Sequence, residues 1–415
     1  MYKAVIITIG DELLIGQTID TNSAFIAQEL NKFGVEIWKR TAISDAKNAI
    51  IEELDTYIQK ANVIVLTGGL GPTSDDITKV TLNEYFDGEL VKNEEVEQFI
   101  VQAFTKRNIP LLPKNLEQAL LPSTCKVLKN TRGTASGMWF EKNETIVISL
   151  PGVPFEMEGI FTDEVIPRLK ERFNDFHILH EHLICIGKGE SVIAQEIEDI
   201  ENSLPSHIHL SYLPSPGLVK LRLTTQGKEK EILSKELKSF AHTIKNRLGA
   251  IVVAEKDANN ADVLVDLLLS KKLTLATAES CTAGNISSEI TNIPGSSAVL
   301  KGGIACYAND VKQNVLNVPN DYFETVGAVS EETVIVLAEN VRKKLNANLG
   351  IATSGIFGPT GGTPEKPVGT VWMAVSNGEK TVSKKFTFTP FRLINKKYAT
   401  ANAMNMVTKF ILENY

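Results

Sequence analysis

Before residue 80 the chain repeats one pattern three times: an apolar, β-branched run, a loop of glycine or small polar residues, and a segment of helical spacing. The runs are Lys3 to Ile9, Val35 to Ile43 and Asn62 to Leu66. Such runs suit strands buried on both faces, and successive parallel strands joined by helices close through right-handed crossovers. Asp20-Thr-Asn-Ser23 offers N-cap chemistry to a helix carrying Phe25, Ile26, Ala27, Leu30 and Phe33 on one face, with Gly34 as its stop. Ala46 to Ala61 supplies a second helix. The pattern predicts an α/β fold with a parallel sheet, in which ligands meet the carboxyl ends of the strands.

The loop after the third run, Thr67-Gly-Gly-Leu-Gly-Pro-Thr-Ser-Asp-Asp-Ile-Thr78, carries the densest chemistry of this half. Gly68, Gly69 and Gly71 let backbone N–H groups approach a phosphate, while Thr73, Asp75 and Asp76 offer oxygen ligands to a hard cation. The same residues also suit a glycine turn followed by an acidic helix cap. Asp11 and Glu12 lie just past the first strand, so neighbouring strand ends would place four carboxylates around one crevice, an arrangement that favours a cation. Pro151-Gly-Val-Pro154, after the strand Thr145 to Leu150, is a further candidate anion site where a Pro-Gly turn opens a helix.

Between Pro167 and Ile251 the chemistry thins to a small α+β module. Its strands are Leu183 to Gly187 and Leu218 to Thr224, and its helices Glu190 to Leu204 and Lys228 to Leu248. Gly187-Lys-Gly-Glu-Ser191 lacks Walker spacing, and His177, His180, His182, His207 and His209 read as packing or surface residues rather than metal ligands. The polar stretch Glu255 to Asp262 marks a linker.

Beyond it, the strand Leu273 to Thr277 delivers Ala278-Glu-Ser-Cys-Thr-Ala-Gly284. Short hydroxyl residues at a strand-to-helix junction meet the positive end of a helix, a setting for an activated nucleophile and an oxyanion. No histidine follows His242, so Cys281 has no imidazole partner within this region. Ser280 is the better nucleophile, with Lys312 as a base of the Ser-Lys type. Helix capping by Ser280 and a solvated Lys312 are the plain alternatives.

Composition bounds the remaining choices. A chain of 415 residues exceeds one ordinary core, and 43% hydrophobic with 22% charged residues fits a folded, water-exposed protein. The net charge of -7 supplies no global field for nucleic acid. Scattered Cys125, Cys185, Cys281 and Cys306, no signal-like start and no apolar span point to the cytoplasm, away from membranes.

As a set, Gly10-Asp-Glu-Leu-Leu-Ile-Gly16, Thr67 to Thr73 with Asp75-Asp-Ile-Thr78, and Leu150-Pro-Gly-Val-Pro154 resemble the N-terminal domain of the CinA (competence/damage-inducible) family, which is similar to molybdopterin-binding domains. The resemblance implies metal-dependent hydrolysis of ADP-ribose to AMP and ribose 5-phosphate, with a divalent cation of the Mg²⁺ or Co²⁺ type and K⁺ as a further ion. It gives Asp75 and Asp76 metal and water activation, Asp11 and Glu12 metal or ribose contacts, and Gly68, Gly69, Gly71 and Thr73 the phosphate. The middle segment corresponds to a KH-like domain, but Gly187-Lys-Gly-Glu190 lacks the second terminal glycine of a GXXG clamp, so RNA binding is not expected.

Ala278-Glu-Ser-Cys-Thr282, Gly295-Ser-Ser297, Tyr307-Ala-Asn309, Lys312, Gly327-Ala-Val-Ser330, Ser354-Gly-Ile356, Gly358-Pro359 and Lys366 to Trp372 resemble the family's C-terminal domain and the stand-alone nicotinamide mononucleotide (NMN) amidohydrolases. That likeness implies hydrolysis of NMN to nicotinic acid mononucleotide and ammonia without a cofactor. Ser280 matches the nucleophile, Lys312 the base, Tyr307, Ser297 and Ser354 supporting hydroxyls, and Arg392 a phosphate-side arginine. Ala283 stands where the family has glycine and Lys396 where a second arginine is usual, and the Ala283 methyl is expected to crowd substrate or oxyanion.

The resulting expectation is a molybdopterin-binding-like α/β sandwich over 1–170, a KH-like α+β domain over 171–254, and an α/β amidohydrolase domain over 255–415, assembled as a homodimer. A pterin- or nucleotide-binding module and a non-catalytic competence or DNA-damage interaction protein are the alternatives.

Overall fold

Period-two alternation sorts the side chains of the first strand between two buried layers. In β1 (Tyr2–Ile9), Ala4 and Ile6 join one apolar cluster while Val5, Ile7 and Ile9 join another on the opposite face. The same split recurs in β3 (Val63–Thr67), between Val63 and Val65 on one side and Ile64 and Leu66 on the other. Each fully buried Val, Leu or Ile stabilises the fold by roughly 1.5–3 kcal/mol, so a one-residue slip of either strand would be costly.

These features come from a computed structural model that describes residues 1–73 and 76–415. The described chain divides into two compact units, Met1–Leu179 with Thr224–Glu236, and His180–Leu223 with Leu237–Tyr415. The segment 171–254 is shared between them.

In the first unit β2 (Val35–Ile43) pairs in parallel with β1, which pairs in parallel with β3 on its other side. Beyond a short antiparallel pair, β4 (Leu90–Lys92) and β5 (Leu120–Pro122), come β6 (Lys126–Leu128), β7 (Gly137–Lys142) and β8 (Thr145–Leu150). The sheet order is β2-β1-β3-β8-β7-β6, parallel through β8 and antiparallel beyond it. The chain moves to one side of β1 to make β2 and to the other to make β3, so the switch point lies at the carboxyl ends of β1 and β3.

Strands β9 (His177–Ile186), β10 (Ile208–Ser215), β11 (Leu218–Gly227) and β12 (Val252–Ala254) form a sheet in the order β10-β11-β9-β12. The expected helix Glu190 to Leu204 breaks at Ile197 into Glu190–Glu196 and Glu198–Asn202. The polar stretch after β12 ends where Asn259 caps the Asn260–Lys271 helix through the N–H groups of Ala261 and Asp262.

The last sheet, in the order β14-β13-β15-β16-β17, comprises β13 (Leu275–Glu279), β14 (Leu300–Ala305), β15 (Leu349–Gly355), β16 (Thr370–Ser376) and β17 (Thr381–Thr387). Strand β13 is parallel to both neighbours, again in a 2-1-3 arrangement. It starts and ends two residues later than its sequence pattern suggested, because pairing with β14 and β15 extends through Glu279. Leu275, Leu349 and Ile351 pack into one cluster and Ala276, Ala278 and Ala352 into the other. The described helices include none long and apolar enough to cross a membrane.

Candidate functional site

Three parallel strands of the C-terminal sheet each end in a residue that chemistry can use. Ser280 follows β13, Cys306 and Tyr307 follow β14, and Ser354 sits near the end of β15. The Ser280 N–H donates to Thr353 O at 3.0 Å and the Cys306 N–H to Glu279 O at 3.0 Å, which fixes the strand ends side by side. Around them opens a cavity of about 180 Å³, lined by Ser280, Cys281, Tyr307, Asn309, Lys312, Ser354, Phe357 and Arg392 among others.

Lys312 is 2% exposed, on the helix Asn309–Leu316, and its Nζ donates to Tyr307 O at 2.9 Å. Burial lowers its ammonium pKa below the ordinary 10.5, opposed by the neighbouring Cys306, Cys281 and Asp310. A lysine in that state supplies a neutral amine at lower pH than a surface lysine, as a base requires. Burial pushes the Cys281 thiol up to about 12 and the Cys306 thiol to about 11. Neither is a ready thiolate, so the Ser280 hydroxyl is the candidate nucleophile among the side chains lining this cavity.

At the outer edge, Arg392 donates through Nη2 to the Tyr307 hydroxyl at 2.9 Å and through Nη1 to Gly358 O at 3.1 Å. Ser354 Oγ donates to Ala328 O at 2.7 Å, so this hydroxyl anchors a loop. Ser297 does not join the site. The left-handed Gly295 turns the chain so that Ser296 is buried while Ser297 faces solvent, outside the cavity lining. Lys396 is half-buried one turn beyond Arg392 on the helix Arg392–Asn414.

Two further expectations are corrected here. The short helix Asn285–Thr291 does not offer its positive end to a ligand, because the fully buried Glu279 carboxylate accepts its first N–H groups. Glu279 Oε2 accepts from Ile286 N at 2.9 Å, and Oε1 from Ser287 N at 2.9 Å, Ser287 Oγ at 3.0 Å and Thr277 Oγ1 at 3.0 Å. Nor does the Ala283 methyl crowd the cavity. Ala283 is exposed, outside the lining, and held at φ 51°, where glycine would be at ease.

In the N-terminal unit the strand ends are also tied together. Gly68 N–H donates to Leu150 O at 3.0 Å, Thr67 Oγ1 to Pro151 O at 2.8 Å, and Asn22 Nδ2 to Thr67 Oγ1 and Gly152 O at 3.0 and 2.9 Å. Gly68 has φ 120°, and a Cβ there would run into Ile9 O, so glycine is required for the close passage of β1 and β3. Its N–H is spent on Leu150, however, and is not available to a phosphate. Gly69, at φ 65°, seats its α-carbon against Thr78 Oγ1. Asn22 Oδ1 and Thr78 Oγ1 are buried without a hydrogen-bond partner among the described residues.

The acidic cage takes a different form from that expected. Among the described residues no three carboxylate, thiol or imidazole groups gather to hold a metal, so Asp11, Glu12 and Asp76 alone do not make one. Asp75 lies outside the described residues. Asp76 turns back on its own loop, where Oδ2 accepts from the Thr73 N–H at 2.9 Å and from the Thr73 hydroxyl. Glu12 folds over Gly10, where an added Cβ would lie 2.5 Å from its Oε1, and Asp11 is exposed with its N–H on Asp45 Oδ2 at 3.1 Å. A smaller cavity of about 80 Å³ lies elsewhere in this unit, lined by Asn93, Val96, Phe99, Lys129, Asn130 and Ser136 among others.

Residues missed in the sequence are Glu279, Asn22 and Lys79. Glu279 stands directly before the serine, where an acid ahead of a short helix signals a cap. Lys79, half-buried in the first turn of the helix Thr78–Tyr85, donates to Glu117 O at 2.8 Å, and burial lowers its pKa. Asn22 reads in the sequence only as N-cap chemistry, and Lys79 carries no signal beyond an ordinary helix position.

Fold and motifs together define a chain with a molybdopterin-binding-type α/β domain, a KH-like middle and a C-terminal α/β domain. Family descriptions match in that order: "Probable molybdopterin binding domain" over residues 5–171, "Damage-inducible protein CinA KH domain" over 180–254 and "CinA C-terminal domain" over 257–411. A CinA-like protein of Cytophaga hutchinsonii is 44% identical over 99% of this chain and 98% of its own length. A putative competence-damage inducible protein of Halothermothrix orenii is 38% identical over 98% of each. Among solved structures, a competence/damage inducible protein from Agrobacterium tumefaciens is 32% identical, covering 37% of this chain and 96% of its own, with a TM-score of 0.35. The chain belongs to the CinA family.

Proposed function

We propose that the C-terminal domain hydrolyses the carboxamide of NMN, giving nicotinic acid mononucleotide and ammonia. The observation that carries this reading is a single cavity that joins Ser280 to a buried, pKa-lowered Lys312 and opens towards Arg392. Ser280 Oγ attacks the carboxamide carbon while the neutral Lys312 amine takes its proton. The tetrahedral intermediate collapses to an acyl-Ser280 ester as Lys312 returns the proton to the departing ammonia. Water, deprotonated by Lys312, then cleaves the ester and releases the carboxylate and Ser280. Arg392 has N–H groups left beyond its two protein bonds and meets the phosphate.

Ammonia release from NMN by the full chain, beside Ser280→Ala and Lys312→Ala, tests the reading. Loss of about a thousandfold or more in both variants is expected. Equal release from all three would remove the assigned nucleophile and base.

For the N-terminal domain we propose binding and hydrolysis of ADP-ribose at the β1/β3 switch point, supported by the glycine-bounded loop tied to β1 and β8. The described carboxylates do not by themselves fit a divalent ion, and no step is assigned to one. AMP formation from ADP-ribose, with Mg²⁺ or Co²⁺ added and then chelated, tests activity and metal need together. A pterin-binding module would form no AMP under either condition.

A further inference from the structure

The polar side chains around the Ser280 cavity are nearly all committed to the protein. Lys312 Nζ is on Tyr307 O, Ser354 Oγ on Ala328 O, and Arg392 on Gly358 O and the Tyr307 hydroxyl. The Ser280 hydroxyl and the Asn309 carboxamide stand apart: among the described residues neither side chain has a hydrogen-bond partner. For Ser280 that freedom suits a nucleophile. For Asn309 it leaves an exposed carboxamide on the cavity wall with both its donor and its acceptor unused.

Position narrows what those groups meet. Asn309 and Lys312 are three residues apart on the helix Asn309–Leu316, a spacing that puts them on one face. Lys312 belongs to the end of the cavity where the amide is cleaved. Arg392, on another helix, marks the phosphate end. A primary carboxamide in the substrate has one carbonyl acceptor and two N–H donors, and an asparagine can answer both kinds at once. The product carboxylate has acceptors only. A site that hydrogen-bonds a substrate N–H rejects an analogue lacking it more sharply than any apolar wall.

We infer that Asn309 is a specificity-determining residue of the amidohydrolase site: its side-chain oxygen accepts from the substrate's amide N–H, so the amide is held in preference to the acid product. The inference rests on the NMN reading above. It adds no step to the reaction, because Asn309 neither gives nor takes a proton.

The test measures KM and kcat for NMN, and inhibition by nicotinic acid mononucleotide, in the full chain and in Asn309→Ala, Asn309→Asp and Asn309→Gln. Asn309→Ala is expected to raise KM about tenfold with a smaller change in kcat, the size of one lost hydrogen bond. Asn309→Asp keeps an acceptor for the amide N–H but sets a negative charge against the product. It should hold KM within a few-fold while weakening product inhibition by about tenfold or more. Asn309→Gln should recover part of what alanine loses. A merely structural asparagine would move both constants together. An unchanged ratio of product inhibition constant to KM in the Ala and Asp variants, with wild type active and Ser280→Ala dead, overturns this assignment and spares the reaction. Wild type that releases no ammonia removes the reaction, and this assignment with it.

Discussion

The chain builds the same parallel core twice, β2-β1-β3 in one unit and β14-β13-β15 in the other, and equips the two switch points differently. At the C-terminal one, an ionisable side chain is buried beside a cavity, and its own environment sets its reactivity. At the N-terminal one, Asp11 and Glu12 are exposed and Asp76 turns back on Thr73 of its own loop, while glycine secures the close strand passage. Equal topology therefore does not give equal chemistry. What differs is whether the loop after the strand is held open around a space or closed upon itself.

The largest test of that contrast is Lys312→Met. Removing the buried amine should lower ammonia release about a thousandfold, or about 4 kcal/mol in activation free energy. The folded pKa is depressed relative to the unfolded one, so the buried charge costs stability when pH lies below the folded value. As pH climbs from there towards 10.5, the unfolded chain holds the extra proton and stability rises. The methionine variant should accordingly melt at or above the wild-type temperature near neutrality, although it is inactive. Wild-type kcat/KM should rise with pH through the lowered lysine pKa, and a flat profile would deny Lys312 its role. Asp76→Asn should leave ammonia release unchanged, since it belongs to the other unit.

Gly68→Ala probes the other switch point. The methyl would strike Ile9 O at a backbone angle that alanine resists, at a cost of about 3 kcal/mol, read as a lower denaturant midpoint. A variant as stable as wild type would mean that β1 and β3 can part at their ends without loss.

Glu279→Ala compares the two kinds of acid directly. It leaves the Ile286 and Ser287 N–H groups without their acceptor beneath the serine loop, which should cost about 2 kcal/mol by equilibrium unfolding. Glu279→Gln keeps one acceptor oxygen and should lose less. Removing the exposed Asp11 carboxylate by Asp11→Asn should change stability by under about 0.5 kcal/mol.

Much of this was open to reading in the residues. The unbroken apolar, β-branched runs of β1 and β3 announced strands buried on both faces, and the observed spans differ from the expected ones by a residue at most in those two strands. Ser280, Tyr307, Lys312 and Ser354 belong to the family motifs, Arg392 matches singly as a phosphate-side arginine, and all five line one cavity. Long-range ties stayed hidden. Nothing local in Gly68 tells that its N–H is spent on Leu150, eighty-odd residues on, and nothing in Ser297 tells that Gly295 turns it outward. Such facts depend on which strands become neighbours, and side-chain periodicity does not encode that.

Ala283 is the smallest and sharpest comparison, because its sequence meaning and its structural meaning diverge. In the sequence it is a methyl inside a nucleophile loop and reads as a threat to the reaction. In the fold it points to solvent, and its cost is conformational: a non-glycine residue at φ 51° is disfavoured by roughly 1–2 kcal/mol. Glycine relieves that strain but gains freedom in the unfolded chain, which offsets about 0.4–1 kcal/mol of the benefit. Ala283→Gly should therefore raise stability by about 0.5–1 kcal/mol and leave ammonia release within about twofold. If activity climbed tenfold while the melting temperature stood still, the methyl would be acting on the substrate after all, and the Ser280 loop would have to move towards the cavity during the reaction.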